Sequence, residues 1–455
     1  MKGHDCSGTT AIKPSTGKIN ARWPPAFWTR KGENSRLYLN FCNLSGPEPA
    51  LVSLVGGGGK TSLMVALAQA LVAHGRSVIA TTTTRIFAAQ MALAPVAFTL
   101  QEVNSAQCQQ ALTDHGWCLI VGHRKGEKAE GVPLEQPAAW LKEPGVDVVL
   151  VEADGSRMQP FKVPADHEPA VPPQTTLLIP VVGIQAVNGR IATTAHRPQR
   201  MVELAQTILA AQPQTVTLDT PLTPALIAQL LTHPQGGLKN APPTARIIPF
   251  INQVETAEQL QQARQIAGLC LQAAAIDSVL IGAAQAAAPV LERHERITAV
   301  ILAAGEGKRM GGVTKQLLPW GQTTVLGQTI ANAQASSLHE ILVVTGHEAA
   351  TITAVAQAAR VPTLHNPHYA TGEMLSSLQT AVAQLPAHTQ AILVMLADQP
   401  LVGPEIIDQL LTAYWRGAGD LIAPTFKGQR GNPVLIGRAY FEELLALPPG
   451  AAPRD

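Results

Sequence analysis

The stretch LVSLVGGGGKTS, residues 51–62, decides the fold of the first part of the chain. Its apolar run predicts a buried strand, and the apolar spacing of residues 61–74 predicts the helix that follows. Between strand and helix lies a glycine run that ends in a cation and a hydroxyl: Gly56, Gly57, Gly58, Gly59, Lys60 and Thr61. A strand, a glycine loop and a helix in this order let backbone amides and a helix N-terminus bind phosphate.

This glycine loop predicts an NTP site, with ATP or GTP as candidates, in which Lys60 reaches the terminal phosphates and Thr61 coordinates Mg²⁺. The loop departs from the pattern G-x-x-x-x-G-K-[ST], because Leu54 stands where the first glycine belongs. A glycine-rich turn without a ligand is therefore the alternative. An apolar strand that ends at Glu152 and Asp154 supports the site, since carboxylates there can position Mg²⁺ or water, and Asp154 is a candidate ligand.

Composition excludes several classes of protein. The 455 residues carry 33 Lys+Arg and 32 Asp+Glu, a formal net charge of +1, which gives no support for nucleic acid or a membrane surface as a partner. No apolar run approaches the roughly 18 residues that span a bilayer. The five scattered cysteines form neither a zinc-binding spacing nor a disulfide framework, so we expect a cytoplasmic protein.

Short apolar runs alternate with helical patterns along most of the chain, which predicts parallel sheets with helical crossovers. The alternation stops at a small-residue stretch and then restarts. We therefore expect an α/β protein with two tandem domains, a P-loop-like NTPase-type parallel sheet and a Rossmann-like sheet. The predicted organisation is a poorly ordered extension (1–46), a first domain (47–285), a linker (286–296) and a second domain (297–455).

A second strand-and-loop unit, AVILAAGEGKRMGG, occupies residues 299–312. Its small residues let a base and a ribose lie against the backbone, and the candidate nucleotide-binding residues are Leu302, Ala303, Ala304, Gly305 and Gly307. Arg309 and Lys315 can hold a triphosphate from two sides. Met310 stands where the third glycine of G-x-G-x-x-G belongs, which argues against a dinucleotide site.

Another apolar run, residues 392–397, leads directly to Asp398. A carboxylate at the end of a buried strand, opposite a phosphate loop, can hold Mg²⁺ between an α-phosphate and an acceptor. An isolated aspartate in this position is more often a cap. Together with the loop that begins at Leu302, Asp398 is better interpreted as a metal ligand.

The first part of the chain resembles the YqeC family of selenium-dependent hydroxylase accessory proteins. The residues that carry this resemblance are 54–62, 81–85, EADGSR at 152–157 and HEP at 167–169. It covers about residues 48–285 and implies nucleotide-linked assistance to enzyme maturation, with a molybdenum hydroxylase apoenzyme as a candidate partner. His167–Pro169 can also be a simple turn.

The second part resembles the MobA-like nucleotidyltransferases, specifically the molybdenum cofactor cytidylyltransferase branch, over about residues 297–455. The motifs are LAAGEGKRMG (302–311), KQLLPWG (315–321), TVLG (324–327), NPHYATGEMLSSL (366–378), LADQP (396–400) and GQRGNPV (428–434). The resemblance implies that the Rossmann-like sheet is a nucleotidyltransferase fold. It also implies Mg²⁺-dependent transfer of CMP from CTP to molybdopterin, the pterin of the molybdenum cofactor.

The same resemblance implies roles for individual residues. Arg309 and Lys315 would bind phosphates, and Asp398 would bind Mg²⁺, as the catalytic set. Residues facing the pterin acceptor would be Asn366, Gly372, Ser376, Ser377 and Asn432. The sequence LAAG, instead of the LAGG of the guanylyltransferase branch, favours CTP over GTP.

Family members continue with a further strand and a D-x-D-T-P-like segment, whereas this chain stops at Asp455. We therefore expect the transferase domain to be incomplete at its C-terminus. Two alternative functions remain open. One is a sugar-1-phosphate or guanylyl-type nucleotidyltransferase, and the other is a non-catalytic cofactor-insertion chaperone with a degenerate transferase fold.

Overall fold

The computed structural model describes residue 44 and residues 46–211, 215–305, 314–371 and 373–451. Most of the predicted extension over residues 1–46 lies outside these ranges. Three predicted site residues, Gly307, Arg309 and Gly372, lie outside them as well.

The first unit alternates strands and helices from residue 50 onward. Its strands are β1 (Ala50–Gly56), β2 (Val78–Thr82), β3 (Ile86–Phe87), β4 (Ala97–Thr99), β5 (Trp117–Val121), β6 (Arg124–Lys125), β7 (Lys128–Ala129), β8 (Val148–Glu152), β9 (Phe161–Lys162), β10 (Leu177–Gly183), β11 (Ala195–His196), β12 (Arg246–Ile247), β13 (Phe250–Asn252), β14 (Val279–Gly282) and β15 (Val290–His294). Its helices are α1 (Lys60–Ala73), α2 (Ser105–His115), α3 (Gln136–Trp140), α4 (Ile191–Thr194), α5 (Pro198–Ile208), α6 (Pro224–Thr232) and α7 (Ala257–Cys270).

A ten-stranded sheet organises this unit, with the order β15-β14-β13-β10-β1-β8-β2-β5-β4 and β12 beside β10. All neighbours run parallel except β14 and β15. The glycine-loop strand β1 is central, and Leu51 and Val52 pack into separate apolar clusters. Strands covered on both faces need apolar residues at successive positions, which is why these strands appear as continuous apolar runs.

The second unit begins at residue 297. Its strands are β16 (Ile297–Leu302), β17 (Pro319–Trp320), β18 (Thr323–Thr324), β19 (Glu340–Thr345), β20 (Thr363–His365), β21 (Ala391–Leu396), β22 (Leu421–Ile422), β23 (Thr425–Phe426), β24 (Gln429–Arg430) and β25 (Val434–Gly437). Its helices are α8 (Val325–Gln334), α9 (Ala349–Ala358), α10 (Glu373–Gln384), α11 (Pro404–Trp415) and α12 (Phe441–Ala446).

The six-stranded sheet of this unit has the order β20-β19-β16-β21-β25-β22, and its first four strands are parallel. Strand β25 is antiparallel to both β21 and β22. Two largely parallel sheets covered by helices confirm the predicted α/β class. No helix in the described part of the chain is long and apolar enough to cross a bilayer.

A strand lies within the segment that we predicted as a linker. Residues 290–294 form β15, which pairs with β14. Glu292 and His294 are buried, and the His294 ring stacks on Trp415 of α11 at a centroid distance of 4.0 Å. Because the buried positions carry polar side chains, the strand lacks the apolar pattern that would have indicated it.

Glu292 connects the two units. Its carboxylate accepts hydrogen bonds from Arg264 of α7 at 2.8 Å, from His294 at 3.0 Å and from Arg416, just after α11, at 3.1 Å. Burial would raise the pKa of Glu292, but the hydrogen bonds from Arg264 and His294 hold it at about 2. The carboxylate therefore remains charged inside the junction between the two sheets.

Candidate functional site

The glycine loop lies at the carboxyl end of β1, in contact with the end of β10. A Cβ added to Gly58 would lie 2.1 Å from the amide nitrogen of Gly183, and one added to Gly57 would lie 2.7 Å from the Gln159 carbonyl oxygen. Gly58 also has a φ of 75°. Only glycine fits at position 58, because the chain is both left-handed and closely packed there.

The amides of this loop form two groups. In the first group, the Gly56 amide donates to the Asp154 carboxylate at 3.1 Å. The Gly57 amide donates to the Val181 carbonyl at 2.9 Å, and the Gly58 amide donates to the Gln159 carbonyl at 3.0 Å. In the second group, the amides of Gly59, Lys60, Thr61 and Ser62 have no partner in the described part of the chain. The free donors for an anion therefore lie at the N-terminus of α1, where the helix dipole also favours negative charge.

Lys60 is buried among groups of the protein itself. Its Nζ donates to the Gly56 carbonyl at 2.6 Å and lies 3.2 Å from Asp154 and 3.9 Å from Glu152. Its side chain is 2% exposed. To reach a phosphate, Lys60 must exchange at least one of these contacts.

Glu152, not Asp154, contacts the Thr61 hydroxyl, which donates to Glu152 Oε2 at 2.8 Å. Gln90 donates to the same hydroxyl at 3.1 Å. Burial raises the pKa of Glu152, and the Lys60 charge opposes that effect. A cavity of about 10 Å³ beside Thr61, Gln90 and Glu152 has room for about one water-sized group.

Sequence reasoning missed the second buried cation, Lys162 on β9. Its Nζ lies 3.2 Å from Asp154 and 2.8 Å from Glu168, and its side chain is 0% exposed. Arg197 also pairs with Glu168, at 3.0 Å. Burial would raise the pKa of Glu168, but the hydrogen bonds from Lys162 and Arg197, together with the charge of Lys162, hold it at about 2. Glu168 belongs to the HEP motif, which was the available signal, whereas no local pattern indicated Lys162.

Asn252, at the end of β13, is a further residue that sequence reasoning did not assign to the site. Its side-chain nitrogen donates to the Gly58 carbonyl at 2.7 Å, and its oxygen accepts from the Ala284 amide at 2.8 Å. Asn252 therefore fixes the glycine loop to the chain that follows β14.

In the second unit, the predicted nucleotide loop follows β16 at the carboxyl edge of the sheet. The Ala303 amide donates to Val344 at 2.9 Å, and the Ala397 amide donates to Leu302 at 3.2 Å. Ala303 and Ala304 are buried and Gly305 is exposed. The backbone of the loop is thus held between the ends of β19 and β21.

Asp398 and Lys315 lie around this loop. Asp398, two residues beyond β21, is exposed, and Lys315 is partly buried at the start of a 3-10 turn. Neither side chain has a hydrogen bond or ion pair with another described residue. Gln316 donates to the Ala303 carbonyl at 3.2 Å, which connects the turn to the loop.

The structure places three predicted acceptor residues side by side: Asn366, Ser376 and Ser377. They are hydrogen-bonded mainly to one another. The Asn366 side chain is fully buried and donates to Ser376 Oγ at 2.8 Å and Ser377 Oγ at 3.0 Å. It also accepts from the His368 amide at 2.9 Å. Asn432 is partly buried and precedes β25, at the same edge of the sheet as Asp398.

No group of three or more His, Cys, Asp or Glu side chains that could hold a metal occurs among the residues described here. A single exposed carboxylate such as Asp398 still fits Mg²⁺, which often binds through one or two carboxylates together with substrate phosphates. This is the mode that the second site can provide.

Two family models match the chain: "YqeC protein" over residues 52–199 and "MobA-like NTP transferase domain" over residues 299–454. The uncharacterized protein YqeC of Escherichia coli K12 is 34% identical over 215 residues, which are 46% of this chain and 78% of that protein. The molybdenum cofactor cytidylyltransferase of the same organism is 30% identical over 153 residues, 33% of this chain and 76% of that protein.

The chain belongs to both families. Both predicted resemblances are therefore confirmed, and the MobA-like part is a nucleotidyltransferase, a family that implies a nucleotide substrate and a metal ion. Among solved structures, Rv0371c from Mycobacterium tuberculosis H37Rv is 29% identical, with a TM-score of 0.30, over 34% of this chain and 77% of that one.

Proposed function

We propose that the MobA-like part transfers CMP from CTP to molybdopterin in a Mg²⁺-dependent reaction, and that the product serves a molybdenum hydroxylase apoenzyme. The observation that carries the proposal is the position of Asp398, exposed and beside the nucleotide loop at one edge of the sheet. The similarity to a molybdenum cofactor cytidylyltransferase supports the choice of substrates.

In this reaction, a phosphate oxygen of molybdopterin attacks the α-phosphorus of CTP, and pyrophosphate leaves with the electrons of the broken P–O bond. The attacking phosphate is already ionised, so no general base is needed. Lys315 and Arg309 would bind the triphosphate, and Asp398 would hold the metal. Mg²⁺ supplies neutralisation of the charge that develops on the phosphates.

The decisive experiment measures pyrophosphate release by the full chain with molybdopterin, Mg²⁺ and either CTP, GTP or ATP. Asp398→Asn should lower turnover with CTP by at least about 100-fold. Asp420→Asn, an exposed carboxylate just before β22 at the opposite edge, is the matched control. If Asp398→Asn retained its turnover, Asp398 would not be the metal ligand. Release with GTP alone would indicate a guanylyl-type enzyme, and cofactor binding without release from any nucleotide would indicate a chaperone.

We also propose that the YqeC-like part binds the phosphates of ATP or GTP at the N-terminus of α1. The free amides from Gly59 to Ser62 support this, and Thr61 with Glu152 fits Mg²⁺ better than Asp154, whose oxygens are already paired with two lysines.

A binding experiment tests this site in the Asp398→Asn background, with fluorescent ATP and GTP. Thr61→Ala should weaken Mg²⁺-dependent binding by about tenfold or more, because it removes a metal ligand. Ser62→Ala is the control, since Ser62 would contribute only its amide. Equal binding by both variants would contradict the proposal.

A further inference from the structure

A short β-hairpin, β23 and β24, lies at the edge of the second site. Its two turn residues, Lys427 and Gly428, have φ angles of 50° and 79°, the positive values of a tight two-residue turn whose twist matches its strands. The preceding strand β22 is antiparallel to β25, as β21 is, so β21 and β22 run in the same direction. The chain therefore leaves β22 at the edge where β21 leads to Asp398.

The side chains of this hairpin combine an exposed aromatic ring with two exposed cations. Phe426 is 76% exposed, and the Lys427 Nζ lies 5.4 Å from the centroid of its ring. Arg430 is also exposed, and the sequence contains no acidic residue from 421 to 437. An exposed aromatic face beside two cations suits a planar ring that carries a phosphate.

On the opposite side of the edge, the predicted acceptor residue Asn366 already has its own partners. There the Asn366 amide group is occupied by Ser376, Ser377 and the His368 amide. Asn432, by contrast, lies two residues beyond the end of the hairpin and has no hydrogen-bond partner in the described ranges. Among these described residues, Asn432 and the hairpin side chains on the β25–β22 side are therefore the ones free to bind a ligand.

We propose that the hairpin of residues 425–430 binds the acceptor of the transferase reaction. The Phe426 ring stacks on the planar heterocycle, and Lys427 and Arg430 bind the phosphate that attacks the nucleotide. This inference rests on the proposed function, and the acceptor class is a planar heterocycle joined to a phosphate monoester. The hairpin would set the KM for the acceptor and leave nucleotide binding unchanged.

Steady-state kinetics of the full chain, with CTP and molybdopterin varied in turn, test the proposal. Phe426→Ala should raise the KM for molybdopterin about tenfold or more, in line with the loss of one stacked ring, and Phe426→Tyr should restore it. The KM for CTP should stay within about twofold. Leu421→Ala, an apolar side chain that is 57% exposed at the opposite edge, should change neither value.

Other outcomes would overturn the proposal. An equal rise in the KM for CTP would place the hairpin in the nucleotide site. An unchanged KM together with a changed molecular mass in solution would make it an interface between copies of the chain. If the wild-type chain releases no pyrophosphate, the proposed function fails, and direct binding of molybdopterin then tests the hairpin separately. Equal affinity of wild type and Phe426→Ala in that measurement would refute it.

Discussion

The two candidate sites occupy equivalent positions in two sheets but differ in how their charges are satisfied. In the first site, the side chains of Lys60, Asp154 and Lys162 are 2%, 2% and 0% exposed, and each is paired with the others or with backbone. In the second site, Asp398 is exposed, and neither it nor Lys315 has a partner within the described ranges. Among the described residues, the first site is therefore a buried ionic network, whereas Asp398 and Lys315 of the second site are unpaired.

This difference bears on how each site can accept a nucleotide. A network of buried charges is stable only while every charged group in it is paired. A phosphate that enters the first site must therefore replace an existing partner, such as the Gly56 carbonyl that accepts from Lys60. At the second site, neither Asp398 nor Lys315 has an ion pair with another described residue that a nucleotide would have to displace. We therefore expect substitutions at the first site to affect folding, and those at the second to affect chemistry alone.

The largest expected effect is that of Lys162→Met. Loss of this cation leaves Asp154 and Glu168 buried next to each other with too little compensation, so the free energy of unfolding should fall by about 3–5 kcal/mol. Urea denaturation of the full chain measures it. Lys315→Met is the matched variant in the second site, and it should change stability by less than about 0.5 kcal/mol while lowering turnover. Equal losses in the two variants would contradict the contrast between the sites.

The glycines of the two loops provide the next test. Gly58→Ala places a Cβ 2.1 Å from the Gly183 nitrogen at a φ of 75°, so it should cost about 2–3 kcal/mol or more. The Cβ of Gly305→Ala would meet no atom of a described residue within 4 Å, so its effect on stability should stay within about 0.5 kcal/mol. Thermal unfolding of both variants compares them directly, and a tolerated Gly58→Ala would show that the first loop is looser than described.

The pH dependence of stability tests the ion pairs of Glu168, which belong to the buried network of the first site. The pKa of Glu168 is about 2 in the folded protein, against an ordinary value of 4.5, so its ion pairs stabilise the protein above about pH 4.5 and are lost as the pH falls towards 2. Wild type should exceed Glu168→Gln in stability by on the order of 2 kcal/mol at pH 7, and this gap should narrow between those pH values. The exposed Glu135→Gln serves as control, and a gap independent of pH would exclude the ionic explanation.

The sequence was sufficient to predict those parts of the sites that lie within or directly after one strand. Apolar runs that end in glycines or carboxylates indicated the α/β class, the glycine loop and the positions of Glu152 and Asp398 at sheet edges. Lys162 was not predictable, because Asp154 and Glu168 reach it through the tertiary fold. Likewise, strand β15 carries Glu292 and His294 on its buried positions, and the reason is their contacts with another unit of the chain. Local sequence patterns indicate a buried position only when its side chain is apolar. They do not indicate a buried charged side chain whose partners are distant in the sequence.

The smallest expected effect concerns salt, and it separates buried from exposed pairs directly. Lys162 and Asp154 lie 3.2 Å apart with side chains 0% and 2% exposed, whereas Arg190 and Asp219 lie 3.3 Å apart with side chains 68% and 79% exposed. Raising the salt from about 0.1 M to about 1 M shortens the Debye length from about 10 Å to about 3 Å, which screens exposed pairs far more than buried ones.

The stability difference between wild type and Lys162→Met should therefore persist in high salt. The difference between wild type and Arg190→Gln should be at most about 1 kcal/mol in low salt and should vanish in high salt. Denaturation by urea, which adds no ions, measures both differences. If the Lys162 difference shrank in the same proportion, the network around Asp154 would be in contact with solvent. A phosphate could then enter the first site without displacing any ion pair, and the contrast between the two sites would be lost.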